Sequence, residues 1–209
     1  TPSNSSAASD VYKRQILGTW FSRLVSFLAG LPDSFGDRLD EKYPVEVAYE
    51  VKLPRLADLD VTNVKGKIEI SGLKGRLKST VVNGPIKLSD LDGRLEAIAI
   101  SGEITADNLG GSIELNTVNG SLSVSAAEVG QLKELECNAV NGNITISLPA
   151  GSAAKVELSA LSGEVQIEES FDFRGETVKR KVISGELSGG GEPYIEANAL
   201  NGKIDIKAL

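Results

Sequence analysis

The stretch LNTVNGSLSV, residues 115–124, contains a phrase that returns at several other places in the chain. Related segments are AVNGNITISL at 139–148, ALNGKIDIKAL at 199–209 and VVNGPIKL at 81–88. Each has Asn-Gly at its centre, with one aliphatic residue two positions before the glycine and another two positions after it. Such self-similarity within one chain is the signature of stacked structural repeats.

The glycines of this phrase are regularly spaced. Seven of them follow one another at intervals of nine residues: Gly66, Gly75, Gly84, Gly93, Gly102, Gly111 and Gly120. The residue two positions before the glycine alternates between a β-branched residue and leucine, so the full repeat has eighteen residues in two halves. The phrase continues at Gly142, Gly163, Gly185 and Gly202, with spacings of 22, 21, 22 and 17 residues.

Within each unit, apolar and polar residues alternate, as in Ile144-Thr145-Ile146, which is typical of a strand rather than a helix. The pattern predicts an all-β fold: a β-solenoid, similar to a parallel β-helix, with coils of 18–22 residues. Aliphatic residues are expected to face inward. Asn-Gly favours positive φ, so these glycines, Gly102 among them, are expected to turn the corners of the coils.

The residues that precede the glycines are mostly short and polar: Lys65, Asn83, Ser101, Asn119, Asn141, Ser162, Ser184 and Asn201. In a stacked solenoid they form a column whose side chains bond to one another or to the backbone. A ligand-binding polar stripe is the functional alternative.

The first part of the chain lies outside the repeat. SSAASDVYKRQ, residues 5–15, resembles the translation of a sequencing adapter, so residues 1–15 are expected to be a disordered artefact of a metagenomic fragment. From Ile16 to Leu31 the apolar residues follow helical spacing, which predicts a short amphipathic helix that caps the first coil or lies on a membrane. A polar linker follows to residue 42, and the solenoid is expected over residues 43–209, with residues 43–54 as its first strand.

The amino-acid composition argues against several classes of function. The 22 basic and 29 acidic residues give a net charge of -7, which opposes binding to nucleic acid. There is no histidine, the commonest general base and metal ligand. The single cysteine, Cys137, is expected to be buried in a strand. Four acidic residues occupy outward positions but are scattered among the coils: Glu103, Glu114, Glu164 and Asp205. We therefore expect no catalytic residues, no metal site and no cofactor.

The V-x-G-x-I-x-V phrase, ITISLPAGSAAKVELSALSGEVQI at 144–167 and ISGELSGGGEPYIEANALNGKIDI at 183–206 resemble a bacterial β-solenoid family of unknown function that is usually labelled adhesin. The resemblance implies a non-enzymatic module of the cell envelope or cell surface that binds or scaffolds a protein or glycan. We therefore expect a signal peptide or membrane anchor upstream of Ile16. Two alternatives stay open. One is a carbohydrate-active β-helix enzyme, and the other is an envelope-stress regulator that associates with the membrane through Ile16 to Leu31.

Overall fold

The computed structural model describes residues 11–17, 25–29, 46–178 and 181–209, and it describes side chains from Leu53 onward. The described residues are almost entirely in strands, apart from turns and one 3₁₀ turn at Val129–Gln131. The strands are β1 Val11–Leu17, β2 Val25–Ala29, β3 Glu46–Lys52, β4 Leu59–Lys65, β5 Ile68–Ser71, β6 Lys74–Asn83, β7 Ile86–Ser101, β8 Ile104–Asn119, β9 Leu122–Ser125, β10 Leu132–Asn141, β11 Ile144–Leu148, β12 Ala154–Ala160, β13 Val165–Ile167, β14 Phe173–Val178, β15 Val182–Leu187, β16 Tyr194–Asn201 and β17 Ile204–Ala208. The β-solenoid predicted from the repeat is confirmed.

Each coil contributes one strand to each of two parallel layers. The first layer stacks β4, β6, the second half of β7, the second half of β8, β10, β16 and β12. The second layer stacks β5, the first half of β7, the first half of β8, β9, β11, β17 and β13. Pairing in register, with an irregularity between Leu132 and Glu134, brings the same position of each coil into one column, so a periodic sequence becomes a set of side-chain columns.

The core between the layers is made of such columns. In the first layer the inward residues are aliphatic or small, as with Leu115 and Ala197, each fully buried. In the second layer they are mainly isoleucine and leucine, as with Ile104 and Ile144. Aliphatic residues on both sides of the coil therefore form one continuous apolar core, which the alternating pattern predicts.

Each coil has a second corner, which is formed by the leucine-containing half of the repeat. β7 and β8 each run through it without a break. Asp90 and Asn108 both have φ of 53° there, a conformation that Asp and Asn tolerate better than most residues. Asn108 Nδ2 donates to Asp90 Oδ1 at 2.7 Å, so the side chains of adjacent coils are bonded at this corner.

The coils near the C-terminus do not stack in chain order. β10 pairs with β16 and β16 pairs with β12, and β11, β17 and β13 are related in the same way. The last coil of the chain therefore lies between the two coils that precede it in sequence. Between β12 and the last coil, the chain forms the antiparallel hairpin β14–β15, and β15 also pairs antiparallel with β12. This corrects the inclusion of Gly185 among the corner glycines, because Gly185 lies within β15.

The helix predicted from Ile16 to Leu31 is wrong at the residues that the structure describes there. Ile16 and Leu17 end β1, and Val25–Ala29 forms β2, which pairs in parallel with β4. A strand in this place supplies hydrogen bonds to the open edge of β4, which a helix cannot do because its backbone groups are already bonded to one another. The rest of the segment and the linker to residue 42 lie outside the described residues.

The strand predicted at residues 43–54 is present as β3, but it is not the first strand of the solenoid. It pairs in parallel with β1 in a separate two-stranded sheet. The prediction of disorder is therefore wrong for residues 11–15, which lie in a strand because β3 offers a backbone edge to pair with. Residues 1–10 lie outside the described residues, and the adapter origin stays a prediction.

Candidate functional site: the ladder face of the first layer

The first layer carries its most distinctive residues on the surface that faces away from the core. Counted back from the corner glycine of each coil, positions -7, -5 and -3 face inward and positions -6, -4 and -2 face outward. Three parallel columns of side chains therefore run along the solenoid axis. We call this surface the ladder face.

Position -6 forms a carboxylate column. We call each strand of the first layer a rung. Five consecutive rungs contribute, in spatial order, Glu96, Glu114, Glu136, Glu196 and Glu157. Adjacent strands lie about 4.8 Å apart, so each carboxylate has a like charge as its neighbour. The column begins at a basic residue, because Lys78 occupies the preceding rung and its Nζ lies 2.7 Å from Glu96 Oε1. The hydrogen bond to Glu96 raises the pKa of Lys78.

Position -4 forms an amide column of Asn116, Asn138 and Asn198. Asn138 Nδ2 donates to Asn116 Oδ1 at 3.0 Å, and Asn198 Nδ2 donates to Asn138 Oδ1 at 3.2 Å. Each asparagine also donates to the glutamate two residues before it on its own strand, at 2.8 to 2.9 Å. Because an amide nitrogen carries two hydrogens, both donors of Asn138 and of Asn198 are used within the ladder.

Position -2 forms an aliphatic column that is exposed to solvent. Val118, Val140, Leu200 and Leu161 occupy four consecutive rungs and have 38% to 63% of their surface exposed. This corrects the prediction that both aliphatic residues around each glycine face inward. Strand alternation turns position -2 outward because positions -3 and -5 already fill the core. The leucines of the other half-repeat, such as Leu91, are buried as predicted.

A groove of about 380 Å³ runs between the amide and aliphatic columns. Residues at position -4 line one side: the polar Asn116, Asn138, Asn198 and Ser159, with the apolar Ile98 at the end of the row. Aliphatic residues at position -2 line the other side: Val118, Val140, Leu200 and Leu161. The groove is therefore amphipathic, and the carboxylate column runs beyond its amide side.

The polar column predicted at position -1 is confirmed in its central rungs. Asn141 Nδ2 donates to Asn119 Oδ1 at 2.9 Å, and Asn201 Nδ2 donates to Asn141 Oδ1 at 2.9 Å. Ser184 is not part of the column, because it lies in β15 opposite Glu157. These bonds give the column a structural role in joining coils.

The corner glycines are required chiefly by close approach. A Cβ on Gly102 would overlap the carbonyl oxygen of Gly84, and the same holds for Gly142 over Gly120. Gly66 and Gly84 have φ of 124° and 144°, but Gly102 is outside the positive range. The prediction of positive φ is therefore wrong for Gly102. Its glycine is needed because stacked backbones leave no room for a side chain.

The four outward acidic residues noted in the sequence are not brought together. Glu114 is in the carboxylate column, whereas Glu103 and Glu164 follow corner glycines and Asp205 lies in β17 of the second layer. Gln166 Nε2 donates to Glu164 Oε2 at 3.3 Å. In the sequence, the carboxylate column corresponds to a glutamate six residues before each of five glycines: Gly102, Gly120, Gly142, Gly163 and Gly202. This regularity is visible only when positions are numbered from the glycine.

Two further ionisable side chains of the described residues, Cys137 and Tyr194, have raised pKa values. Cys137 is buried in β10, as predicted, and burial raises its pKa to about 12. The Tyr194 hydroxyl donates to Glu157 Oε2 at 2.8 Å. This hydrogen bond, with lesser contributions from desolvation and nearby glutamates, raises the pKa of Tyr194 to about 12.

Across the described ranges, no group of three or more His, Cys, Asp or Glu is arranged to hold a metal ion. The described part of the chain contains no helix long and apolar enough to span a membrane.

Comparison with known proteins agrees with this architecture. Neither a curated protein nor a solved structure matches the chain significantly. The family model Toastrack DUF4097 matches residues 47–207, which is nearly the whole solenoid. The match covers the paired layers, the corner glycines and the ladder face. The chain therefore belongs to the Toastrack DUF4097 family.

Proposed function

We propose that this protein is a non-enzymatic, adhesin-like or scaffolding module that binds a partner at the cell envelope or cell surface through the ladder face. The observation that carries the proposal is the exposed aliphatic column beside the groove. On a sheet face turned to water these positions are usually polar, and a contiguous apolar strip marks an interaction site. Val140 and Leu200, in adjacent rungs, are the centre of that strip.

The engagement of the polar groups supports a binding role rather than catalysis. Glu114, Glu136 and Glu196 each accept a hydrogen bond from an asparagine of their own strand. The Cys137 thiol is buried and its raised pKa keeps it protonated. The chain has no histidine to serve as a general base. A rigid surface of repeated columns, by contrast, suits recognition.

Placement at the envelope is supported by the adhesin-like sequences that the repeat resembles, and by a net charge of -7 that favours solubility on display. The proposed partner is a protein or a glycan of the envelope. Association with the membrane through Ile16 to Leu31 is a separate proposal. It has less support, because Val25–Ala29 is paired with β4.

Cosedimentation with bacterial envelope fractions tests this function. We expect the full chain to pellet with at least one fraction, and the double substitution Val118→Thr/Val140→Thr to reduce the pelleted amount several-fold. Threonine keeps the shape and strand propensity of valine, so folding is retained. The matched control is Val178→Thr/Val182→Thr on the hairpin β14–β15, where both valines are also exposed. A chain that stays in the supernatant with every fraction contradicts the proposal.

The stacked carboxylates favour a second candidate, a carbohydrate-active enzyme. Glu114 and Glu136 lie in adjacent rungs, and a separation of about 5 Å between carboxyl groups is that of retaining glycosidases. Release of reducing sugar from uronate or neutral polysaccharides, lost in Glu136→Gln, would establish this candidate and overturn the non-enzymatic proposal.

A further inference from the structure

The chemistry of the ladder face selects its partner, which deepens the function proposed above and rests on it. Asn138 and Asn198 use both of their amide hydrogens within the ladder. Apart from the second amide hydrogen of Asn116, what the two columns still offer to a partner is therefore oxygen that accepts hydrogen bonds. This surface therefore favours a ligand that brings donors.

The centre of the carboxylate column also lacks positive charge. None of the described basic residues forms an ion pair with Glu114, Glu136 or Glu196. The outward residues two positions earlier on the same strands are Ser112, Glu134 and Tyr194. These positions of the middle three rungs thus hold four carboxylates and no cation, although Arg94 and Lys155 flank them one rung further out and Lys133 precedes Glu134. The excess of carboxylates favours a basic partner.

The protein itself shows how a cation binds this column. Lys78 belongs to the same column, one rung before Glu96, and its Nζ lies 2.7 Å from Glu96 Oε1. At the opposite end, the Tyr194 hydroxyl donates to Glu157 Oε2 at 2.8 Å. Both end carboxylates therefore accept a donor from a neighbouring rung of the same chain. For the three central carboxylates, a partner would supply the corresponding donors.

The spacing of the columns matches one secondary structure. Rungs repeat about every 4.8 Å along the solenoid axis, and an α-helix repeats about every 5.4 Å. A helix lying along the groove can place one side chain per turn near successive rungs over three or four rungs. Its apolar stripe would lie on Val118, Val140 and Leu200, while its Lys or Arg stripe reaches the carboxylates.

We propose that the ladder face is the docking surface for a basic amphipathic helix of a partner protein, with Lys or Arg on Glu114, Glu136 and Glu196 and apolar side chains on the aliphatic column. Helix-in-groove recognition of this kind is common. A second copy of this chain is disfavoured as the occupant, because it would oppose carboxylates with carboxylates. Nucleic acid and anionic membranes are disfavoured for the same electrostatic reason.

The test uses the full chain and a synthetic 18-residue helical peptide with adjoining leucine and lysine stripes, measured by titration calorimetry. Two peptides serve as controls: a scramble of the same composition and a version with glutamate in place of lysine. We expect saturable binding of the first peptide, weakened by added NaCl, and at least tenfold weaker binding of both controls. Equal binding of the scramble, or of the acidic peptide, would overturn the proposal.

Variants place the binding site. Glu114→Gln/Glu136→Gln/Glu196→Gln is expected to weaken binding about tenfold, since three charge pairs are lost. Val118→Thr/Val140→Thr is expected to weaken it several-fold. The matched control, Glu103→Gln/Asp107→Asn/Glu169→Gln, removes the same charge away from the ladder face and should change binding less than about threefold. Equal effects of the two charge triples would mean that only net charge matters, which overturns the assignment of the site.

The two proposals fail separately. If the peptide does not bind but envelope cosedimentation still depends on Val118 and Val140, the ladder face is a binding surface for another kind of partner and the basic-helix proposal is wrong. If the peptide binds as expected but no envelope fraction retains the chain, the partner chemistry stands and the envelope role is wrong.

Discussion

Asn201 Nδ2 donates to Asn141 Oδ1 at 2.9 Å, although the two residues are sixty positions apart in the chain. The bond joins the last coil to the coil of β10 and β11, and not to the coil that precedes it in sequence. Backbone bonds agree, because Gly142 N donates to Asn201 O at 3.2 Å and Ile144 N donates to Lys203 O at 2.8 Å. The last coil therefore lies between two coils that precede it in the sequence.

A double-mutant cycle tests this order of coils. Asn141→Ala and Asn201→Ala should show a coupling energy of about 0.5–1 kcal/mol in urea unfolding, because the two side chains share a hydrogen bond. Stacking in chain order would instead place Ser162 beside Asn141. Coupling of Asn141→Ala with Ser162→Ala, and none with Asn201→Ala, would show that the coils follow the sequence.

The glycine column predicts a large effect of a small substitution. Gly102→Ala should lower the free energy of unfolding by about 1–3 kcal/mol, because the added methyl group overlaps the backbone of Gly84 and forces the coils apart. Gly130→Ala is the control, since a Cβ there meets nothing within 4 Å. Equal urea midpoints for the two variants would show that the stacked backbones are not in such close contact.

The carboxylate column predicts a substitution that stabilises the protein. Glu136→Gln should raise the free energy of unfolding by a few tenths to about 1 kcal/mol at low salt, because it removes a charge held between Glu114 and Glu196. Glutamine still accepts the bond from Asn138. The gain should shrink as NaCl is added. Glu103→Gln, outside the column, should have little effect, and a loss of stability in Glu136→Gln would show that the column is not under electrostatic strain.

Burial of Cys137 predicts a dependence of stability on alkaline pH. Its folded-state pKa is raised from 9.0 to about 12, so the protonated thiol favours the folded state. The contribution is fully present below pH 9 and is lost as the pH rises toward 12. Between these values the natural chain should lose stability more steeply than Cys137→Ala in urea titrations. A similar dependence of stability on pH in the two proteins would contradict the burial of Cys137.

The same burial predicts low reactivity of the thiol. At pH 8 the folded chain should react with a thiol-specific chromogenic reagent only after urea unfolds it. Rapid labelling without denaturant would mean that β10 opens readily or that Cys137 is not in the core.

The columns of the ladder face could have been recognised in the sequence, but their exposure could not. Glu114 and Glu136 stand six positions before their glycines, and Asn116 and Asn138 stand four positions before them. Alternation alone leaves two choices for which set faces the core. Their apolar character predicts a core position for Val118 and Val140, whereas packing buries Thr117 and Ala139 instead. Next to the corner of the coil, the small side chains of Thr117 and Ala139 fill the inward position and the valines that follow them point outward.

The sequence by itself determined the solenoid, because a glycine and its flanking aliphatic residues recur at a fixed period, and parallel stacking converts any such period into columns. It also determined the core of the second layer and the asparagine column at the corners. Only the tertiary structure decided the order of the last coils, the pairing of β2 with β4 and the place of Gly185 in a hairpin. The physical reason is that near-identical coils present near-identical edges, so local pattern cannot distinguish which edges pair. Long-range contacts, such as the hydrogen bond between Asn201 and Asn141, make the choice.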